Sequence, residues 1–240
     1  MPLDNTIRTL NSRFDDATAP EVLEHAMDGL GQVALVSSFG AESVVLLHLA
    51  AHIDPSVPVL FIDTELLFTE TLQYQKDIAQ SLGLTDVRVI KAKRATLFER
   101  DTENLLHQHD PDACCALRKA QPLQTALRDF DGWITGRKRY QGGQRAALDH
   151  FELERPLGAL PRIKVNPLAH WDADDLSDYI KSHNLPRHPL VAKGFRSIGC
   201  APCTKPVGFG EDPRAGRWAD QGKTECGIHF EDGKTVRRSA

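Results

Sequence analysis

The stretch Val33-Ala34-Leu35-Val36-Ser37-Ser38-Phe39-Gly40-Ala41-Glu42-Ser43-Val44-Val45-Leu46-Leu47-His48-Leu49-Ala50 decides the fold of this chain. Its first four residues form a short apolar run of the kind that builds a buried strand of a parallel sheet. A loop of small residues, Ser37 to Ser43, follows, and an apolar helical segment runs from Val44 to Ala50. This order predicts the first strand, loop and helix of an α/β domain.

Three further apolar segments, Val59–Ile62, Val87–Ile90 and Trp133–Thr135, repeat the strand pattern, and polar, helix-compatible segments separate them. A helix before the first strand is indicated at Pro20–Met27, because proline and acids occupy its first turn and Gly29 follows it. The alternation favours right-handed βαβ crossovers. We therefore expect an α/β fold with three layers, built on a mainly parallel, twisted sheet.

Length and composition indicate one folded domain and a tail. The chain has 240 residues, 41% of them hydrophobic, which suits one core with appendages. From about Pro206 the sequence becomes rich in glycine, proline and charge. We expect residues 1–205 to form the α/β domain and residues 206–240 to form a flexible C-terminal tail.

The sequence and its charge also limit the kinds of partner that we expect, namely membranes and nucleic acids. The N-terminus is polar and no run of 18 apolar residues occurs, so we expect a cytoplasmic protein with no membrane association. The balance of 29 basic against 33 acidic residues gives a net charge of −4 and argues against a nucleic-acid surface. Any anion-binding site must therefore be local.

The loop between the first strand and its helix is a candidate anion site. Backbone N–H groups at a helix N-terminus bind anions, and small residues let a phosphate or sulfate approach them. The candidate residues are Ser37, Ser38, Gly40 and Ser43. An ordinary strand-to-helix turn with serine capping is the alternative. The loop has no Gly-Lys-Ser/Thr and so is not a triphosphate loop of the Walker type, but it resembles the pyrophosphate loop of the adenine-nucleotide α-hydrolase-like fold.

The five cysteines form a second pattern. They are the adjacent pair Cys114-Cys115, the pair Cys200 and Cys203 in a Cys-Ala-Pro-Cys motif, and the lone Cys226. In a reducing compartment such a set points to metal binding or catalysis and not to disulfides. We interpret the two pairs as ligands of one metal site and Cys226 as a reactive nucleophile.

Adjacent ligands constrain the geometry of that site. Successive side chains on a helix diverge by about 100°. Cys114 and Cys115 therefore reach one small site only if it lies close against the backbone or if the helix is locally distorted. A compact iron-sulfur cubane tolerates this better than a single zinc ion, although a zinc site with His107 and His109 as spare donors remains an alternative.

Together these motifs resemble the assimilatory phosphoadenylyl-sulfate/adenylyl-sulfate reductase family. The resemblance covers most of the chain. The matching segments are Ser37–Ser43, Phe61–Thr64, Cys114–Lys119, Trp133–Gly136, Lys164–Leu168, Ser197–Thr204, Arg214–Trp218 and Glu225–His229. Family members that use the 3′-phosphorylated substrate usually lack both cysteine pairs, so the pairs place this chain among those that use adenosine 5′-phosphosulfate (APS).

The resemblance implies a cofactor and a mechanism. A 4Fe-4S cluster would be held by Cys114, Cys115, Cys200 and Cys203. Cys226 would attack the sulfur of APS and become an S-sulfocysteine, and thioredoxin would then release sulfite and restore the thiol. We hypothesise an electrostatic and structural role for the cluster, with no electron transfer during turnover.

The resemblance also implies the substrate-binding residues. Beyond the serine loop they are Lys119, Gly136, Arg145, Arg214, Arg217 and His229. Lys119 stands four residues beyond Cys115, which would place both on one face of a regular helix and link the cluster to the substrate. Glu65 replaces a glycine usual in the family and would disfavour a 3′-phosphate by charge repulsion, with a solvated surface acid as the alternative.

Three other functions remain open from the sequence. The first is reduction of the 3′-phosphorylated substrate, alone or together with APS. The second is an ATP-dependent sulfurtransferase of the same fold, which the missing Ser-Gly-Gly-x-Asp-Ser pattern disfavours. The third is a non-enzymatic metal-binding module, which leaves Cys226 unexplained. A homo-oligomer is compatible with the sequence.

Overall fold

The central feature of the computed structural model, which describes residues 3–156, 158–219, 230–231 and 234–235, is a six-stranded sheet. Its strands are β1 Val33–Ser37, β2 Val59–Ile62, β3 Val87–Ile90, β4 Gly132–Thr135, β5 Phe151–Glu154 and β6 Arg162–Val165. Their spatial order is β3-β2-β1-β4-β6-β5. Neighbours pair in parallel, except that β5 pairs antiparallel with β6. The four strands predicted from the sequence are confirmed.

Helices cover both faces of this sheet. They are α1 Leu3–Arg13, α2 Ala19–Gly29, α3 Ser43–Ile53, α4 Thr69–Ser81, α5 Arg94–Arg100, α6 Leu106–His109, α7 Pro111–Cys115, α8 Gln121–Ala126 and α9 Ala173–Ser182. Val33 and Leu35 of β1 belong to the core on one face, while Ala34 packs in the core that includes Leu123 of α8 on the other face. The alternation of side chains along β1 thus produces three layers, as predicted.

The helix predicted before the first strand begins as its sequence indicates. Thr18 accepts a hydrogen bond from the backbone N–H of Glu21, and the Glu21 carboxylate accepts from the backbone N–H of Thr18 at 2.8 Å. This capping box fixes the start of α2. The helix ends at Gly29, so both predicted ends are confirmed.

Strands β5 and β6 were not predicted, and their residues explain why. Their sequences are Phe-Glu-Leu-Glu and Arg-Ile-Lys-Val, which lack the apolar run of the other strands. Glu154 and Arg162 are nevertheless buried, and they form an ion pair with each other. Charged residues occupy buried strand positions here because each finds its partner on the neighbouring strand.

The segment after residue 205 remains packed against the α/β domain as far as Trp218. Lys205 N–H donates to Gly216 O at 2.8 Å, and Trp218 N–H donates to Cys203 O at 3.1 Å. Trp218 is buried against Cys200 and Cys203. The change of composition at Pro206 therefore does not mark the end of packed structure, contrary to the predicted boundary. Beyond residue 219 the structure describes only a short antiparallel pair, 230–231 with 234–235.

No helix within the described ranges has the length and apolar character needed to cross a membrane.

Candidate nucleotide-binding site

A cavity opens at the carboxyl ends of β1 and β4. The chain passes from β1 to β2 on one side, whereas β4 lies on the other side of β1, so a crevice forms between the loops that follow the two strands. This cavity has a volume of about 260 Å³. Its walls come from the loops after β1 and β4 and from segments 196–200 and 212–218.

Most of the predicted substrate-binding residues line this one cavity. They are Ser37, Ser38, Gly40, Ser43, Lys119, Gly136, Arg145, Arg214 and Arg217. The structure thus brings together residues from five separate parts of the sequence. The remaining candidates, His229 and the nucleophile Cys226, lie outside the described residues.

The loop after β1 is held in an unusual backbone conformation. Phe39 has φ +46°, which is uncommon for a residue other than glycine, and its buried ring packs edge-on against Phe61 at 5.3 Å between ring centroids. A Cβ on Gly40 would lie 3.3 Å from the carbonyl oxygen of Ile198. The aromatic contact and the small residue together bring this loop close to the segment that carries Cys200.

Two amides of the loop are already satisfied by its own hydroxyls. Gly40 N–H donates to Ser43 Oγ at 2.9 Å, and Phe39 N–H donates to Ser37 Oγ at 3.1 Å. An anion that used these amides would have to displace the hydroxyl oxygens. The backbone cradle therefore stays a prediction, while the serine side chains are placed at the cavity wall.

Two of the cavity arginines are positioned by different contacts. The Arg145 guanidinium hydrogen-bonds to Gln141. Arg217 lies over the Trp218 ring at 4.3 Å from its centroid, a cation–π contact. A Cβ on Gly199 would overlap the Arg217 guanidinium, so a larger residue there would displace the guanidinium from this position.

The cavity also contains a pair of charges that the sequence did not indicate. Lys138 Nζ donates to Glu42 at 2.7 Å, and the Tyr140 hydroxyl donates to the other carboxylate oxygen at 2.6 Å. All three residues line the cavity. Glu65, the predicted repulsive acid, is not among the lining residues, and its carboxylate lies 3.8 Å from Lys91 and 3.9 Å from Arg94. The acids that line the cavity are Glu42 and Asp212.

The four predicted ligand cysteines are buried thiols beside this cavity. Cys114 and Cys115 end α7, while Cys200 and Cys203 flank the short 3₁₀ turn Ala201–Cys203. Burial raises the pKa of the Cys114 thiol to about 11, with Cys200 adding to the rise, while Arg118 and Lys119 oppose it. Cys114 is therefore close to Cys200 of the other pair and to both cations. Within the described ranges, however, no three His, Cys, Asp or Glu side chains are arranged to hold a single metal ion.

A local distortion, one of the two alternatives that the adjacent cysteines left open, lies next to the pair. Residues Ala116–Ala120 form a π-helical turn between α7 and α8, and Gln121 N–H donates to Ala116 O, an i→i+5 bond. Such turns are rare and often occur at functional sites. The expectation that Lys119 shares a regular helical face with Cys115 is corrected, because the wider turn changes the angular spacing between them.

Arg118 connects this turn to the loop that follows β2. Its guanidinium donates to Asp101 at 2.6 Å, to Asn104 Oδ1 at 2.6 Å and to the carbonyl oxygen of Thr64 at 2.9 Å. The Thr64 hydroxyl lies 3.2 Å from Cys200 Sγ. A buried network thus joins the two cysteine segments through the loop after β2.

A doubly wound sheet with a cationic cavity at its switch point places the chain in the adenine-nucleotide α-hydrolase-like fold class. A model of the phosphoadenosine phosphosulfate reductase domain matches residues 32–206, and the chain belongs to this family.

Several relatives and solved structures agree with this assignment. The adenosine 5′-phosphosulfate reductase of Mesorhizobium japonicum is 50% identical over 212 residues, 88% of this chain and 82% of the relative. That of a Chelativorans species is 46% identical over 234 residues, 95% and 94% of the two chains. A crystal structure of Candida auris phosphoadenylyl-sulfate reductase, in complex with phosphate, gives a TM-score of 0.70 at 26% identity and covers 84% of this chain and 96% of that one. The predicted fold class and family are confirmed.

Proposed function

We propose that this chain reduces APS to sulfite and AMP in sulfate assimilation and cysteine biosynthesis, with thioredoxin as the electron donor. The observation that carries the proposal is the cavity at the switch point, which gathers nine predicted binding residues. The named activity of relatives up to 50% identical supports the choice of substrate.

The charges of the cavity suit a phosphosulfate. Seven basic residues line it, among them the predicted Lys119, Arg145, Arg214 and Arg217, and Lys119 and Arg145 are buried. Removed from bulk water, such charges act more strongly on an anion than they would at an exposed surface. An arginine can also contact two anionic oxygens at once. The cations would hold the phosphosulfate with its sulfur presented to the nucleophile.

The reaction proceeds by nucleophilic attack at sulfur. The Cys226 thiolate forms a bond to the sulfur of APS, the sulfur–oxygen bond to the phosphate breaks, and AMP leaves with the electron pair. One thiolate of thioredoxin then attacks Cys226 Sγ and expels sulfite, which leaves a mixed disulfide. The second thioredoxin thiol breaks that disulfide, so thioredoxin leaves oxidised and Cys226 is a thiol again.

The four buried cysteines fit a 4Fe-4S cluster as the resident cofactor. Each iron of such a cluster takes one thiolate, so the four sulfur atoms need not converge on one point, and they do not do so here. Cys114, Cys115, Cys200 and Cys203 would hold it, with Arg118 and Lys119 beside Cys114. When bound, the cluster would supply concentrated negative charge that orients these cations.

Mass spectrometry after mixing with APS alone tests the reaction. Protein purified anaerobically and mixed with APS in the absence of thioredoxin should carry one adduct of sulfonate mass, located on Cys226. Adding thioredoxin should release that adduct as sulfite. Cys226→Ser should form neither adduct nor sulfite. Sulfite production by Cys226→Ser, or an adduct on one of the other four cysteines, would show that the nucleophile is misassigned.

A further inference from the structure

A buried carboxylate, that of Asp101, lies near the first cysteine pair and has no part in the proposed reaction. Asp101 caps the C-terminal end of α5, and its side chain is 2% exposed. Burial is the main reason why the pKa of the Cys114 thiol is raised, and the Asp101 charge adds to the rise. A thiol must lose its proton to bind a metal, so an acid at this position is unfavourable by itself.

Both carboxylate oxygens of Asp101 are engaged. Oδ2 accepts two hydrogen bonds from Arg118, from Nε at 2.9 Å and from Nη2 at 2.6 Å, while Oδ1 accepts from the Leu106 N–H at 2.9 Å. The Arg118 side chain is 1% exposed. In a buried ion pair, loss of one partner leaves the charge of the other uncompensated. Asp101 therefore determines where the Arg118 guanidinium lies.

The other contacts of this guanidinium lead to the second cysteine pair. Nη2 also donates to Asn104 Oδ1 at 2.6 Å, and Nη1 donates to the carbonyl oxygen of Thr64 at 2.9 Å. The Thr64 hydroxyl lies 3.2 Å from Cys200 Sγ. Against the effect of burial, the Arg118 charge lowers the pKa of the Cys114 thiol, and this effect is larger than the opposite effect of Asp101. The ion pair as a whole therefore favours the thiolate.

We propose that Asp101 is a positioning residue for the cofactor site: it fixes the Arg118 guanidinium beside both cysteine pairs, so that a positive charge stays next to the four thiolates. Asp101 acts through Arg118 and touches neither cofactor nor substrate. The inference rests on the 4Fe-4S cofactor of the proposed function, and it names the residue that holds one of the two cations beside Cys114 in place.

Iron release and Mössbauer spectroscopy test the inference without reference to catalysis. The spectra are recorded on isotopically enriched holoprotein. Asp101→Asn removes the carboxylate charge at nearly constant size, and Arg118→Gln removes the cation. We expect each variant to release iron to a chelator about ten- to a hundredfold faster than the wild type, the usual effect of losing a partner behind the metal ligands. Both should change the Mössbauer spectrum in the same way, because both leave the thiolates without a fixed guanidinium.

A double-variant cycle separates positioning from general destabilisation. If Asp101 acts through Arg118, the protein with both substitutions releases iron no faster than Arg118→Gln alone. Neither residue is among those that line the cavity, so the dissociation constant of AMP should be the same in all variants. Asp110→Asn is the matched control. Asp110 is an exposed acid that caps the start of α7, and asparagine caps equally well, so this variant should keep the wild-type spectrum and iron release.

The outcomes are distinct. A folded Asp101→Asn holoprotein with wild-type iron release and spectrum overturns the inference, as do additive effects in the cycle or a matching loss of AMP affinity. If Asp101→Asn does not fold, Asn104→Gly replaces it, because it removes another acceptor of Arg118 while glycine keeps the φ of +58°. Unchanged iron release and spectrum in that variant overturn the inference.

Failure of the proposed function is separately visible. Wild-type protein that holds no iron after anaerobic purification would refute the cofactor assignment and this inference together. Wild-type protein that holds iron but forms no sulfite from APS would refute the proposed activity, while the variants would still decide the role of Asp101.

Discussion

Thr64, in the loop after β2, contacts Cys200 through its side chain and Arg118 through its backbone. Its buried hydroxyl lies 3.2 Å from Cys200 Sγ and accepts a hydrogen bond from Leu66 N–H at 3.2 Å. Its carbonyl oxygen accepts from Arg118. Because the backbone N–H occupies a lone pair of the hydroxyl oxygen, the hydroxyl hydrogen is available to the sulfur. Thr64 therefore joins the Cys200 side chain to Arg118 through one residue.

Replacing this hydroxyl by a methyl group tests its contribution. Thr64→Val keeps the shape of the side chain but removes two hydrogen bonds at a buried position. We expect the free energy of unfolding to fall by about 1 to 3 kcal/mol, and iron to be lost to a chelator faster than from the wild type. Urea denaturation and chelator kinetics measure the two effects. Thr125→Val, which removes an exposed hydroxyl on α8, is the matched control and should change neither.

Single residues of the site were predictable where they belong to short local patterns. The serine loop, Lys119 beside the cysteine pair and the late arginines were all identified, and the structure places them at one cavity. Glu42 was not identified, although it lies inside the quoted loop. Its contacts are with residues 96 and 98 positions further along the chain, and no local pattern contains that pairing.

Among the secondary-structure elements, the π-helical turn Ala116–Ala120 sets the geometry of the site. It follows directly on Cys114 and Cys115 and contains both Arg118 and Lys119, which are buried. Both cations are close enough to Cys114 to lower the pKa of its thiol, and Lys119 also lines the cavity. In a regular helix, where successive residues turn by about 100°, the angular spacing between the cysteines and these cations would be different.

Deleting one residue from this turn should change the position of Lys119 relative to the cysteine pair. Removing Ala116 shortens the spacing between the cysteine pair and Lys119, so the lysine would leave the cavity wall. We expect the variant to keep its helical circular dichroism but to lose most APS-dependent sulfite formation, by about a hundredfold or more, the typical cost of removing a preorganised charge. Ala116→Ser keeps the spacing and should retain activity. Full activity in the deletion variant would show that the π-helical turn is dispensable.

The strands illustrate the limit of pattern-based prediction at this scale. Strands β1 to β4 are short apolar runs, and each was found. Strands β5 and β6 carry Glu152, Glu154, Arg162 and Lys164, so their sequences look like exposed loops. Their burial depends on pairing across the sheet, for example Glu154 with Arg162 and the Lys164 ammonium 4.9 Å from the Trp133 ring centroid. Such compensation is visible only once the sheet is assembled.

For the molecule as a whole, the net charge of −4 conceals the character of the cavity. Buried cations gather where the loops after β1 and β4 meet, although acids outnumber bases over the chain. Arg137 pairs with Glu152 and Lys138 with Glu42, so part of this charge is compensated internally. Composition predicted only that any anion site would be local, and the cavity that gathers these cations depends on the fold.

Buried histidines should make the whole fold sensitive to mild acid. Burial lowers the pKa of three of them: His48, His150 and His188. The lowering is largest for His188, to about 4. Its Nδ1 accepts from Leu190 N–H at 3.1 Å, and its Nε2 lies 3.0 Å from Thr71 Oγ1. Protonation of Nδ1 would break the first bond and leave a buried N–H without an acceptor.

The sign of the effect follows from proton linkage. A histidine in the unfolded chain takes up a proton near pH 6.5, whereas folded His188 does so only near pH 4, so the unfolded state binds more protons between these values. The free energy of unfolding should therefore fall as the pH drops from 6.5, by up to about 1.4 kcal/mol per pH unit for each such histidine. Carboxylates with lowered pKa, such as Glu42, lose their contribution only below about pH 4.5. Urea midpoints at pH 7.5 and 5.5 measure the change, and His188→Gln should show a smaller difference between them. A midpoint that is equal or higher at pH 5.5 would contradict this account of the buried histidines.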